Sequence, residues 1–255
     1  MGEDARLRKQ EIASLRAGVD LGITLIDTAE MYGDGATESL LGDALAGLRD
    51  KIFLVSKVYP QNAGRGRIER ACEASLQRLK TDYLDLYLLH WRGPVPLAET
   101  IEGMEALIRA GKIRRWGVSN LDQGDMEQLF RAGGQACTTN QVLYNVTERG
   151  AEFDLLPQLR KHHIPPMAYS PVGQGHLPRS PALSAVAENH GVTPFQVALA
   201  WVLRDPMMIA IPKASDATHV EANRRALDLV LSAEDLAAID AEFPPPSRKT
   251  RLAML

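Results

Sequence analysis

Seven short apolar runs, ITLIDT, KIFLVSKV, LDLYLLHW, IRRWGVSN, TTNQVLYN, IPPMAYSP and MMIAIPK, recur along the chain, each followed by a turn and then by helical spacing. Near-continuous apolar runs of this length suit strands covered on both faces, and their alternation with helices predicts βαβ units and a parallel sheet. Leu7, Ile12, Leu15 and Val19 make one helical stripe, ended by Gly22; Ile68, Cys72, Ser75, Leu76 and Leu79 make another before the turn at Thr81 and Asp82. Further helices are expected near 100–110, 126–132, 155–162, 182–190 and 194–203. The last helix begins at the capping signal of Ser232 and stops before Pro244-Pro245-Pro246, which cannot continue it. With 255 residues, 45% of them hydrophobic, the chain suits one barrel domain spanning 1–255. The expected fold class is α/β, a (β/α)8 TIM barrel that begins one strand late, lacking the first barrel strand, since only a few charged residues precede the first helix. Seven strands would leave two edges open unless another segment fills the gap. Either the chain is an amino-terminally shortened barrel or the barrel closes with a gap, and the completeness of every later unit favours the first.

A net charge of -3, with acids and bases interspersed, provides no basic stripe for a phosphate backbone, so nucleic acid is not an expected partner. Cys72 and Cys137 are too few for a disulfide framework or a thiolate metal site, and no apolar stretch approaches the length of a membrane span. The opening MGEDARLRKQE has no signal-peptide core. A cytoplasmic monomer with reduced cysteines, acting on a small polar molecule, is the expectation.

Strands of a parallel α/β barrel converge at their carboxyl ends, where catalytic side chains gather. Asp27, Tyr32, Lys57 and His90 stand at or just past those ends in the first three runs. A phenol ordinarily titrates near about pH 10, and a neighbouring ammonium favours its anion. Lys57 is placed to supply that charge, and Asp27 to keep a desolvated ammonium protonated. His90 is placed to donate a hydrogen bond to a carbonyl oxygen beside the phenol, which would then act as general acid. Taken singly, Asp27 reads better as a turn carboxylate and His90 as a core histidine; together the four point to catalysis. Lys57 at a barrel strand end also suits a Schiff-base aldolase, although a carboxylate holding it protonated argues against imine formation.

Carbonyl reduction needs a hydride source, and Gly33-Asp34-Gly35 lacks the third glycine of a Rossmann fingerprint. A nicotinamide would therefore bind on barrel loops. Ser119, Asn120 and Gln141 carry hydroxyl and amide groups able to satisfy a carboxamide, and Tyr169 offers a flat face for stacking. Lys213 ends the last strand where barrels often place phosphate, and Asn223 lies in the helix that follows. Trp91 suits either a substrate pocket or packing, whereas Trp116 and Trp201 read as packing. His162, His163, His176 and His190 have no metal-ligand spacing and read as solvated or capping residues.

LIDTAEMYG, LVSKV, LDLYLLHW, GKIRRWGVSN, NQVLYN, AYSPVGQG and IPKAS, in this order, resemble the aldo-keto reductase family across almost the whole chain. The resemblance implies a (β/α)8 barrel, NADP(H)-linked reduction of small aldehydes or ketones, and a tetrad of Asp27, Tyr32, Lys57 and His90 with Tyr32 as acid. It also implies that Ser119, Asn120 and Gln141 hold the carboxamide, that Tyr169 stacks on the ring, and that Ser170, Val172 and Gln174 line the pyrophosphate path. After Lys213 the family often has Arg and then Glu or Gln where this chain has His219 and Ala222. A neutral imidazole grips a 2′-phosphate less firmly than a guanidinium, which weakens the preference for NADP(H) over NAD(H). A barrel that binds a nicotinamide without turnover, because of the missing first strand, is the remaining alternative.

Overall fold

The structure is a computed structural model that describes residues 1–255. It divides into two compact units, residues 1–139 with 214–220 and residues 140–213 with 221–255. Each of the seven apolar runs contains a strand: β1 (Leu25–Asp27), β2 (Phe53–Val58), β3 (Leu86–Leu89), β4 (Trp116–Ser119), β5 (Asn140–Leu143), β6 (Pro166–Tyr169) and β7 (Ile209–Ile211). Strands alternate with helices and are numbered in the order in which they lie in the sheet, the α/β class of the (β/α)8 barrels.

In the first unit β1 to β4 pair in parallel, with Asp27 opposite Val55, Lys57 opposite Leu88 and Tyr87 opposite Trp116. Every residue of β3 and β4 is buried, which is why these runs are near-continuously apolar rather than alternating. The helices are α1 (Arg8–Asp20), α2 (Ala36–Ala44), α3 (Arg67–Leu79), α4 (Leu97–Arg109) and α5 (Gln123–Arg131). Along α3 the predicted stripe of Ile68, Cys72, Ser75, Leu76 and Leu79 is buried. The α1 stripe is buried only in part: Val19 is buried, Ile12 and Leu15 are half-buried and Leu7 is exposed, while Glu11, Ser14 and Gly18 also turn inward. The reason is polar anchoring, since Glu11 accepts from the Gly2 amide at 2.8 Å and Ser14 Oγ donates to the Ala214 carbonyl at 3.0 Å. The sequence pattern does not reveal α2. It lies so close to α3 that a Cβ on Gly42 would come 2.5 Å from the Arg78 carbonyl oxygen. Its buried Glu38 accepts from Arg78 Nε and Ser56 Oγ, each at 2.6 Å.

In the second unit β5, β6 and β7 pair in parallel, with Leu143 opposite Tyr169 and Met167 opposite Ile209. Its helices include α6 (Leu155–Lys161), α7 (Pro181–His190) and α8 (Pro194–Val202); α9 (Ala217–Arg225) and α10 (Ala233–Glu242) follow β7. The α10 start is the predicted capping box, Ser232 Oγ accepting from the Asp235 amide and Asp235 from the Ser232 amide. His190 is not merely solvated: its Nε2 lies 2.8 Å from Asp235 Oδ2, while Glu242 at the other end of α10 accepts from Ser180 Oγ and the Ala182 amide at the start of α7. Trp201 is packed as expected, stacked on Tyr144 at 5.5 Å between centroids, with Arg204 3.6 Å above it. Nearly buried Arg149 pairs with Glu152 at 2.8 Å and Asp240 at 2.6 Å and donates to the Phe243 carbonyl, which ties the end of α10 to the loop after β5. The segment beyond it encloses a cavity of about 270 Å³ with that loop, lined by Leu143, Thr147, Pro244, Thr250 and Leu252 among others. Cys72 and Cys137 are buried and unpaired. No helix is long and apolar enough to cross a membrane.

Candidate active site

Asp27 is the last residue of β1, Lys57 the last but one of β2, and His90 follows β3 directly. Parallel register therefore brings their side chains to neighbouring strand ends. Tyr32 arrives on the loop after β1, which continues alongside β2 through hydrogen bonds from the Thr28 amide to the Val55 carbonyl at 3.0 Å and from the Glu30 amide to the Lys57 carbonyl at 3.4 Å. The loop then turns sharply over Tyr32–Gly35, where Gly33 and Asp34 adopt the left-handed region with φ of 57° and 49°. Glycine takes that conformation freely and Asp tolerates it.

The four predicted catalytic side chains meet. Lys57 is wholly enclosed, its side chain 0% exposed, and the Asp27 side chain is 9% exposed. The ammonium donates to Asp27 Oδ2 at 2.6 Å, to the Thr28 carbonyl at 2.7 Å and to the Tyr32 hydroxyl oxygen at 3.4 Å. An ammonium has three N–H bonds, and each has an acceptor here. The carboxylate compensates the cost of burying the charge. Because Lys57 donates to the phenol oxygen, the phenol's own proton is directed elsewhere. A nitrogen enclosed and engaged in three directions has no open side from which to attack a carbonyl and form an imine, so the aldolase alternative is disfavoured.

His90 is 6% exposed. Burial, and secondarily the Lys57 charge, push its pKa from the ordinary 6.5 down to about 3, so the imidazole is neutral at working pH. Its ring stands edge-on to Tyr32, 5.8 Å between centroids at 83°, and its Nδ1 is buried without a hydrogen-bond partner. Asn120 Nδ2 donates to the His90 carbonyl at 3.2 Å and to Ser119 Oγ at 3.2 Å. Asn120 has φ 59°, a conformation that Asn accepts more readily than most residues. Ser119 and Asn120 thus stand at the end of β4 beside the histidine. Thr28 went unrecognised as a site residue, because a backbone carbonyl has no signature in the side-chain sequence.

In the second unit Gln141 is the second residue of β5, buried, with Nε2 2.9 Å from Met167 Sδ. Tyr169 ends β6, and its hydroxyl accepts from the Leu255 amide at 3.3 Å. Ser170, whose carbonyl accepts from Asn145 Nδ2 at 3.0 Å, opens a run of tight turns through Val172 and Gln174, with φ of 49° at Ser170, 58° at Gly173, 55° at Gln174 and 82° at Gly175. Within this run the Gly173, Gly175 and His176 amides donate to the Ser170, Val172 and Gly173 carbonyls at 3.0, 3.1 and 2.9 Å, which holds Ser170, Val172 and Gln174 in one compact loop after β6. Lys213 is exposed just after β7, and Asn223 lies half-buried in the second turn of α9. His219 is exposed, with Nδ1 2.5 Å from Asp216 Oδ2 and its amide donating to Asp216 Oδ1 at 2.9 Å. These contacts hold the Asp216 carboxyl below its usual range and engage the imidazole with a carboxylate.

A model of the Aldo/keto reductase family matches residues 3–242. Methylglyoxal reductase YeaE of Escherichia coli K12 is 53% identical over 261 residues, covering 100% of this chain and 92% of that protein. Glyoxal reductase of Bacillus subtilis 168 is 34% identical over 234 residues, covering 89% of this chain and 82% of its own length. An aldo/keto reductase from Klebsiella pneumoniae, solved in complex with NADP and acetate, superposes with a TM-score of 0.98 at 55% identity, covering 100% of this chain and 92% of that one. The match runs from the loop of Asp27 and Tyr32 through every later strand end, and the chain belongs to the aldo/keto reductase family.

Proposed function

We propose that this chain reduces small aldehydes and ketones, α-dicarbonyls such as methylglyoxal among them, to alcohols with NADPH. The observation that carries the reading is the enclosed Lys57 ammonium, neutralised by Asp27 and directed at the Tyr32 oxygen. Bound NADPH supplies the hydride. Tyr32 donates its proton to the carbonyl oxygen as negative charge grows there, and Lys57 stabilises the charge left on the phenol oxygen. His90, being neutral, offers an N–H that orients the carbonyl without competing as an acid; an imidazolium would be the stronger acid of the two.

For the cofactor, we assign Ser119 and Asn120 to the carboxamide, and likewise Gln141. Tyr169 stacks on the ring, Ser170, Val172 and Gln174 line the pyrophosphate, and Lys213, His219 and Asn223 serve the adenosine phosphate end. The relation to a methylglyoxal reductase at 53% identity and the NADP bound by the Klebsiella structure support substrate and cofactor. Asp216 at His219 sets a negative charge beside the imidazole, so the preference for NADP(H) over NAD(H) rests chiefly on Lys213. The chain acts as a cytoplasmic monomer in this reading, in keeping with two buried, unpaired cysteines.

Loss of NADPH absorbance with a panel of carbonyls headed by methylglyoxal tests the proposal. Tyr32→Phe is expected to lower kcat by about a hundred- to ten-thousand-fold while NADPH binding, read by fluorescence titration, stays intact. A wild-type chain that binds NADPH and turns over no carbonyl would overturn the reading, and borohydride trapping of a carbonyl on Lys57 would replace it with imine chemistry.

A further inference from the structure

We infer that Glu30 is a positioning residue for the reaction: by bonding the loop after β2 it fixes the edge-on contact of Tyr59 with Trp91 and, through Trp91, the ring of His90. The inference rests on the carbonyl reductase reading for its kinetic part. Glu30 lies two residues before Tyr32 on the loop after β1. Its Oε1 accepts both the Tyr59 amide at 2.6 Å and Asn62 Nδ2 at 3.1 Å. These bonds hold the start and end of the turn Pro60–Asn62. Hydrogen bonds to a carboxylate are shorter and stronger than neutral ones, and the Glu30 amide is itself held by the Lys57 carbonyl. One residue therefore joins the acid's loop, the end of β2 and the loop beyond it.

From Tyr59 the coupling continues through rings. Tyr59 meets Trp91 edge-on at 5.8 Å and 88°, Trp91 lies 4.8 Å from His90, and His90 stands 5.8 Å from Tyr32. The series starts and ends on the same short loop, at residues 30 and 32. A second contact locks the far side: a Cβ on Gly93 would lie 2.3 Å from Pro60 Cβ, so the loop after β3 packs directly on the turn that Glu30 holds. Burial, together with the charges of Asp34 and Glu30, raises the Tyr59 pKa, which keeps that ring a neutral phenol. Without the carboxylate the turn keeps its own backbone bonds, from the Asn62 amide to the Tyr59 carbonyl and from the Ala63 amide to the Pro60 carbonyl, and its contact at Gly93, but it loses its tie to the loop of Tyr32, and Trp91 loses the fixed edge against which it stands.

A glutamine at this position still presents one oxygen to both donors, whereas alanine presents none. Glu30→Ala is expected to lower kcat/KM for methylglyoxal roughly tenfold, in line with the cost of small misplacements at reacting groups, with NADPH affinity unchanged, and Glu30→Gln to restore most of it. Acrylamide quenching of Trp91, taken as the difference between each protein and its Trp91→Phe counterpart, is expected to rise in Glu30→Ala and return in Glu30→Gln. Asn62→Ala, which removes one of the two bonds, should move both readouts the same way by less, and it decides the matter if Glu30→Ala does not fold. Unchanged kcat/KM and quenching in Glu30→Ala, or a Glu30→Gln as impaired as the alanine variant, would overturn the inference. A wild-type chain inactive on every carbonyl sinks the reductase reading instead, while the quenching comparison still judges the loop coupling.

Discussion

Lys57 donates in three directions, and each acceptor has a different consequence. Asp27 keeps the ammonium charged, the Thr28 carbonyl fixes where it points, and the Tyr32 oxygen receives the effect. Lys57→Met should abolish turnover and also destabilise the fold by about 3–5 kcal/mol, the usual cost of leaving one partner of a buried ion pair alone; urea unfolding measures it. His90 leaves its mark on pH dependence. Its pKa falls on folding from 6.5 to about 3, so below 6.5 the unfolded chain takes up a proton that the folded chain refuses. The neutral ring's contribution is complete above 6.5 and shrinks as pH drops toward 3, by at most about 1.4 kcal/mol per pH unit. His90→Gln should flatten the slope of stability against pH in that window. The four side chains that meet at the strand ends were legible in the sequence because each lies at or just past the end of an apolar run, in a fixed order. Thr28 and Glu30 were not, since a backbone acceptor and a carboxylate serving a neighbouring loop leave no periodic trace.

Among the elements, strands were the easiest to read and α2 the hardest. A strand packed between helices is mostly apolar along its length, with polar residues near its carboxyl end or at the site, so all seven runs mark their strands directly. By contrast α2 is held by a close approach at Gly42 and by the buried pair of Glu38 with Arg78, features that depend on a partner thirty or more positions away. α1 shows the opposite case: an apolar stripe is present, but only Val19 of it is buried, and Glu11 and Ser14 share the inner face because their hydrogen bonds lie there. Gly42→Ala is the corresponding test. A methyl group 2.5 Å from a backbone oxygen forces α2 away from α3, and overpacking of this kind costs about 1–3 kcal/mol. A lowered denaturant midpoint with unaltered slope is the expected result, and wild-type stability would show that the two helices separate more easily than their packing implies.

For the whole molecule, the resemblance in seven motifs and the family match over residues 3–242 agree on one kind of chain. Cofactor binding should appear as stability. A ligand that binds only the folded chain adds about 2.7 kcal/mol at a hundred times its Kd, so NADPH should raise the melting temperature, and NADH should do so less at equal concentration. Equal shifts would remove the assigned role of Lys213. The enclosure of Lys57 has one more consequence. α-Dicarbonyls, the substrates proposed above, glycate accessible amines. With its side chain sealed from solvent and each N–H occupied, Lys57 is sheltered from that reaction.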